Sequence, residues 1–82
     1  MPTVLRVGAF HVIIFLPPRE HAPPHVHVRT AGGEVVIELA VEGRMQSIRT
    51  VAGMRNREVA AAFRVVEEQA ELLLACWRRY HA

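Results

Sequence analysis

Two Pro-Pro pairs, Pro17-Pro18 and Pro23-Pro24, constrain the fold of this chain more than any other feature. Each proline ring fixes φ at about −65° and removes a backbone hydrogen-bond donor, so no helix can run through the pairs. Proline also confines the residue before it to extended conformations. The segment therefore predicts a rigid loop, with separate elements of secondary structure before and after it.

A strand is expected directly after the second pair. His25, His27 and Arg29 alternate with two valines, which is the period of a half-buried strand. These three side chains define one face of the strand, the His/Arg face, and His21 lies in the loop beside it. Imidazoles and a guanidinium can bind a metal, a proton or an anion. The candidate binding residues are therefore His21, His25, His27 and Arg29.

Alternating apolar residues predict further strands on both sides of the loop. Gly8-Ala9 interrupts the first apolar stretch, either as a bulge or as a tight hairpin. Later turns contain glycine and are short, which is typical of antiparallel hairpins. The strands are expected within residues 3–16, 25–30, 35–41 and 45–51.

From Asn56 onward the apolar period changes to that of a helix. Asn56 can cap the helix, and residues 57–80 are expected to form one long helix of about 36 Å, at roughly 1.5 Å per residue. We therefore predict a single α+β domain over residues 1–82, with a four- or five-stranded, mainly antiparallel sheet and one long C-terminal helix packed on one face. The apolar stripe of this helix is Val59, Phe63, Val66, Ala70, Leu73, Trp77 and Tyr80.

Composition bears on partners and location. The hydrophobic fraction of 51% is slightly above the usual value of about 45–50%, which suggests apolar surface shared with another subunit. All ten basic residues are arginine, which suits phosphate and carboxylate, and the net charge is only +2. A lone cysteine, Cys76, fits a reducing compartment. The apolar run 7–16 is too short to span a bilayer, so a cytoplasmic protein without membrane contact is expected.

The His/Arg face leaves several mechanisms open. His21, His25 and His27 are candidate zinc ligands, with an open position for substrate. Alternatively, His25 or His27 acts as an acid or base oriented by Glu38 of the neighbouring strand, and Arg29 holds a phosphate. A ribonuclease needs little more, because RNA carries its own nucleophile in the 2′-hydroxyl. Nucleic-acid binding without chemistry is the third alternative, since Arg44, Arg49, Arg55 and Arg57 cluster from the last hairpin to the helix start, where backbone N–H groups can also bind phosphate. Otherwise, the residues of the His/Arg face are ordinary solvent-facing strand residues.

Three segments together resemble the domain-of-unknown-function 4160 family of bacteria. The segments are Met1-Pro2-Thr3-Val4-Leu5-Arg6, Glu20-His21-Ala22-Pro23-Pro24-His25-Val26-His27-Val28 and Glu67-Glu68-Gln69-Ala70-Glu71-Leu72-Leu73-Leu74-Ala75-Cys76-Trp77. The resemblance covers almost the whole chain. One departure is Arg19-Glu20, where similar sequences often have Asn or Asp, residues whose side chains can close a turn.

The resemblance implies a small α+β protein with strands first and a long C-terminal helix. Members are often encoded beside another small protein, in an arrangement that resembles toxin–antitoxin pairs. No catalytic residue comes with the resemblance. We therefore expect a toxin–antitoxin-like component that binds RNA or a protein through the His/Arg face, as a homodimer or in complex with the neighbouring small protein. The alternatives are a ribonuclease-like phosphodiester hydrolase, with or without a metal, and an interaction module without chemistry.

Overall fold

Five strands precede two helices in the computed structural model, which describes residues 3–17 and 21–81. Arg19-Glu20, where the chain departs from similar sequences, lies outside these residues. The strands pair antiparallel in their chain order, β1-β2-β3-β4-β5. The elements are β1 (Thr3–Val7), β2 (Phe10–Ile13), β3 (His25–Arg29), β4 (Glu34–Glu38), β5 (Ser47–Ala52), α1 (Asn56–Glu68) and α2 (Ala70–Tyr80). The predicted α+β class and antiparallel sheet are confirmed, with five strands.

Glycines set two of the hairpins. Gly8 has φ 56°, a left-handed conformation that favours glycine, and it turns β1 tightly into β2. Of the two alternatives at Gly8-Ala9, the structure has the hairpin. A Cβ added at Gly33 would overlap the carbonyl oxygen of Ala52. The turn between β3 and β4 can therefore lie against the end of β5 only because Gly33 has no side chain.

One face of the sheet packs on the helices and forms the core. Alternate residues of β2, β3 and β4 supply the sheet side of this core, while α1 and α2 supply the other side. In the predicted helical stripe, Val66, Leu73 and Trp77 are buried, and Val59, Phe63 and Tyr80 pack partly buried against the same cluster. The buried residues of the core are Val12, Ile14, Val26, Val28, Val35, Ile37, Leu39, Ala62, Val66, Leu73 and Trp77.

The prediction of one continuous helix over residues 57–80 is wrong. Gln69 separates α1 from α2 with φ −108° and ψ 18°, and its N–H is shared between the carbonyls of Val65 and Val66. A straight helix of that length would measure about 36 Å, longer than the 33 Å that the molecule spans along its longest axis. Val66 and Leu73, on either side of the break, are both buried in the core.

The start of α1 also differs from the expectation. Asn56 is the first residue of the helix rather than its cap, and Arg55 occupies the cap position with an extended backbone. The carboxylate of Glu58 accepts a hydrogen bond of 2.9 Å from the N–H of Arg55. The expected bond ran from a helix N–H to the side chain of the cap residue. Here the backbone N–H of the cap residue donates instead to a side chain inside the helix.

Within residues 3–17 and 21–81, neither helix has the length and apolar character that crossing a membrane requires.

Leu73 and Leu72 test the packing of α2. Leu73 is fully buried in the core, whereas the adjacent Leu72 is half exposed on the same helix. We expect Leu73→Ala to lower the free energy of unfolding by about 2–5 kcal/mol, because it removes buried methyl groups and leaves a cavity. Leu72→Ala, the matched control, should change it by less than about 0.5 kcal/mol. Urea denaturation measures both, and equal losses would contradict the packing of α2.

Candidate functional site

The loop of Pro23 and Pro24 is fixed to the sheet by two hydrogen bonds. The Nδ1 of His25 donates to the carbonyl of Pro23 at 2.9 Å, and the N–H of Leu39 donates to the carbonyl of Pro24 at 2.9 Å. Since Leu39 directly follows β4, the loop is held by both β3 and the chain after β4. The rigid loop predicted from the prolines thus gains its position from His25.

His25 is buried, with 1% of its surface exposed. Its ring lies 5.0 Å from the ring of Trp77 and 5.5 Å from the ring of His27, measured between centroids. His25 was expected to lie on an accessible face of β3, and this expectation is wrong because the side chain is buried. The reason is that α2 brings Trp77 to the start of β3, a contact between parts of the chain far apart in sequence.

An aromatic cluster extends from His25 across the end of the sheet. We define it as Phe15, His25, His27, Trp77 and His81. His81 stacks on Trp77 at 3.7 Å with an interplanar angle of 9°, and its Nε2 donates to the carbonyl of Phe15 at 2.9 Å. Phe15 in turn meets His27 edge to face at 4.7 Å. The cluster therefore joins the end of α2 to β3 and to the chain after β2.

His27 lies at the border between this cluster and solvent. Only 14% of its side chain is exposed, and its Nδ1 lies 3.4 Å from Oε2 of Glu34. A carboxylate beside one imidazole nitrogen favours one tautomer and orients the ring. A carboxylate of the neighbouring strand was expected to orient an imidazole in this way, but that carboxylate belongs to Glu34 and not to Glu38.

Glu34 also holds Arg29, its cross-strand partner. The Nε of Arg29 donates to Oε1 of Glu34 at 2.5 Å, and its guanidinium carbon lies 5.4 Å from the centre of the Phe15 ring. Partial burial raises the pKa of Glu34, but hydrogen bonds from Arg29 and His27 outweigh it and hold that pKa below its usual value. The sequence analysis did not identify Glu34 as a site residue. A tight turn closed between Thr30 and Gly33 makes the residues on either side of it, Arg29 and Glu34, cross-strand partners.

Glu38 has different partners from those expected. It lies opposite His25 in the register of β3 and β4. Its two carboxylate oxygens, however, accept from Arg44 at 3.2 Å and from Arg49 at 2.9 Å. The structure therefore supports Glu38 as an anchor for two arginines rather than as the carboxylate that orients an imidazole.

The three candidate zinc ligands are not brought together. His21 lies exposed in the loop, while His25 is buried and uses its Nδ1 on the carbonyl of Pro23. In the described parts of the chain, no group of three or more His, Cys, Asp or Glu side chains could hold a metal ion.

The accessible part of the His/Arg face is a groove beside Arg29. His11 of β2 is the cross-strand partner of Arg29, and both residues line an open groove of about 510 Å³. Because His11 pairs with Arg29 and Ile13 pairs with His27, this face of β2 is continuous with the His/Arg face of β3. We call this the His11–Arg29 groove, and its lining residues are Thr3, Ala9, His11, Ile13, Arg29, Thr30 and Ala31.

One family model matches this chain, over residues 10–78, and its description is "Domain of unknown function (DUF4160)". The matched span runs from the start of β2 almost to the end of α2 and includes the prolines, His25, His27 and Trp77. No curated protein and no solved structure is detectably similar to the chain.

The lowered pKa of Glu34 predicts a pH-dependent contribution to stability. Because its pKa in the folded protein lies below the ordinary value of 4.5, the ionised carboxylate stabilises the fold above that pH. This contribution is lost as the pH falls through the lowered pKa. The difference in free energy of unfolding between wild type and Glu34→Gln should therefore be largest near neutrality and shrink below about pH 4.5.

Urea denaturation at a series of pH values between about 7 and 3 measures this difference. Glu42→Gln, which removes a carboxylate at an exposed turn, controls for the change in net charge. A wild-type advantage over Glu34→Gln that grows as the pH is lowered would contradict the arrangement of Arg29, His27 and Glu34.

Proposed function

The chain belongs to the DUF4160 family, and from that premise we propose that it acts by binding an acidic protein partner, as one component of a toxin–antitoxin-like pair. The proposed binding surface is the His11–Arg29 groove. The partner is the small protein whose gene neighbours that of this chain, as the resemblance implies. In this proposal the His/Arg face still binds the partner, as expected from the sequence, but only its accessible end at Arg29 takes part.

The observation that carries the proposal is the pairing of two side chains that can donate N–H hydrogen bonds along one open groove. Arg29 has 39% of its side chain exposed, and His11 is exposed beside it on the next strand. A guanidinium presents several N–H donors in a fixed plane, which matches a carboxylate. An acidic side chain of a partner can therefore enter the groove and accept a hydrogen bond from the guanidinium of Arg29, beside or in place of the carboxylate of Glu34.

Charge balance favours a protein partner over RNA. Arg29 pairs with Glu34, and Arg44 and Arg49 share Glu38, so two carboxylates offset most of the charge of three guanidiniums. RNA binding depends on several cations that release counterions from consecutive phosphates. A face whose arginines already pair with carboxylates supplies little of that charge. A single contact with an acidic side chain of a protein needs far less positive charge than RNA binding does.

Burial weighs against acid–base catalysis by the histidine motif. A general acid or base must come within hydrogen-bond reach of its substrate, yet His25 is buried and donates to Pro23. One observation favours the alternative of a phosphodiester hydrolase, namely the 3.4 Å approach of Glu34 to His27. That alternative requires substrate to reach a side chain that is mostly enclosed.

We place the protein in the cytoplasm. The support is its single cysteine, Cys76, which the structure leaves as a free thiol in α2. A reducing compartment keeps such a thiol reduced.

The groove is tested with two variants and two controls. We expect His11→Glu and Arg29→Gln to weaken the complex with the neighbouring small protein by roughly tenfold or more, because each removes a partner of an acidic group. His21→Glu and Arg57→Gln make the same changes at exposed positions outside the groove and should leave affinity unchanged. Isothermal titration calorimetry measures the affinities, and thermal melting checks the fold of each variant.

The same variants separate the alternatives. Absence of a complex, or equal affinity for all four variants, would contradict the proposal. Cleavage of a single-stranded RNA oligonucleotide by wild type would favour the hydrolase, and a repeat with chelator would show whether a metal takes part. RNA binding without cleavage, lost in Arg29→Gln, would favour RNA over the acidic protein.

A further inference from the structure

The outer edge of the sheet at β5 is exposed along its whole length. All six residues of β5, the last strand in the sheet order, are exposed. An edge strand presents backbone N–H and C=O groups that can pair with another chain. Two apolar side chains on this edge, Ile48 and Val51, keep 45% and 46% of their surface accessible. The edge thus combines a template for strand pairing with apolar surface.

A bulge brings these two side chains to the same face of the sheet. The register between β4 and β5 shifts between Val36 and Ile37, so that Ile48 lies opposite Ile37 and Val51 lies opposite Val35. Ile37 and Val35 both belong to the core that faces the helices. Residues three apart in a regular strand would point to opposite faces.

A groove between β5 and α1 continues this apolar surface. It has a volume of about 520 Å³ and is lined by Ile48 together with one side of α1, including Val59, Ala60 and Phe63. Arg64 and Glu67, of opposite charge, also line it. The exposed edge and the groove therefore form one surface, lying at the opposite end of the strand order from β1 and the His11–Arg29 groove.

We propose that this surface binds a second copy of the chain, through antiparallel pairing of β5 with β5 about a two-fold axis. A register centred between Arg49 and Thr50 sets Ile48 of one copy opposite Val51 of the other. Each apolar residue then meets an apolar residue, as a self-complementary two-fold interface requires. The two sheets join into one, and the two grooves close against each other on the helix side.

The charges of this surface are compatible with a second copy. Arg49 is the one charged residue of β5, and its Nε donates to Glu38 of its own chain at 2.9 Å. In the proposed register Arg49 faces Thr50 of the other copy, so two like charges never lie directly opposite each other. On the groove wall, Arg64 and Glu67 give each copy one charge of each sign, so antiparallel α1 helices offer attraction as well as repulsion. A purely acidic partner would attract only Arg64, and a purely basic partner would attract only Glu67.

Sedimentation equilibrium of the full chain tests the proposal. Wild type should sediment at twice the chain mass of 9.2 kDa at micromolar concentrations. Val51→Lys and Ile48→Lys should each raise the dissociation constant by about tenfold or more, because each places an unmatched charge in the pairing surface. The matched control is Val7→Lys, at an exposed valine of the other edge strand, β1, and it should remain dimeric.

Three results would overturn the proposal. They are a wild-type monomer throughout the micromolar range, a dimer that Val51→Lys and Ile48→Lys leave intact, and a dimer that Val7→Lys dissociates equally. Circular dichroism of each variant confirms that its fold is retained. Loss of binding in the His11–Arg29 groove variants leaves this result unaffected, because the two surfaces share no residue.

Discussion

The hydrogen bond from His25 to the carbonyl of Pro23 fixes the loop on which the rest of the structure depends. It holds the Pro-Pro segment at the start of β3 and buries the imidazole where Trp77 can pack against it. Trp77 then stacks with His81, which bonds the carbonyl of Phe15. A buried polar group that loses its partner costs about 1–3 kcal/mol, a large part of the stability of a small domain.

This arrangement divides the His/Arg face into two parts with different tasks. The part near the prolines, with His25, is enclosed by the aromatic cluster and stabilises the fold. The part near the turn, with Arg29 and the neighbouring His11, stays open to a ligand. Glu34 joins the parts, because it contacts both His27 and Arg29. The same short motif therefore builds the fold and supports the proposed binding groove.

Local patterns in the sequence predicted the elements but not their long-range contacts. Alternation predicted β3 and β4, and the period of the last third predicted that Val66, Leu73 and Trp77 face the core. The break at Gln69 was missed, because neither glycine nor proline marks it. The burial of His25 was missed for a similar reason, since its neighbour Trp77 lies far away in the chain. Identifying Glu34 rather than Glu38 as the carboxylate beside His27 required the exact register of the hairpin between β3 and β4. The sequence suggests that register only once the turn at Thr30 is known.

The imidazole of His25 offers the most direct measurement, by long-range ¹H–¹⁵N correlation spectroscopy of the histidine rings at a pH where they are neutral. If the Pro23 carbonyl accepts from Nδ1, as the structure has it, His25 carries its proton on Nδ1 and that proton exchanges slowly with water. The exposed His21 serves as the internal reference and should exchange rapidly. A His25 ring protonated on Nε2, or one whose proton exchanges as fast as that of His21, would contradict the structural role assigned to the motif.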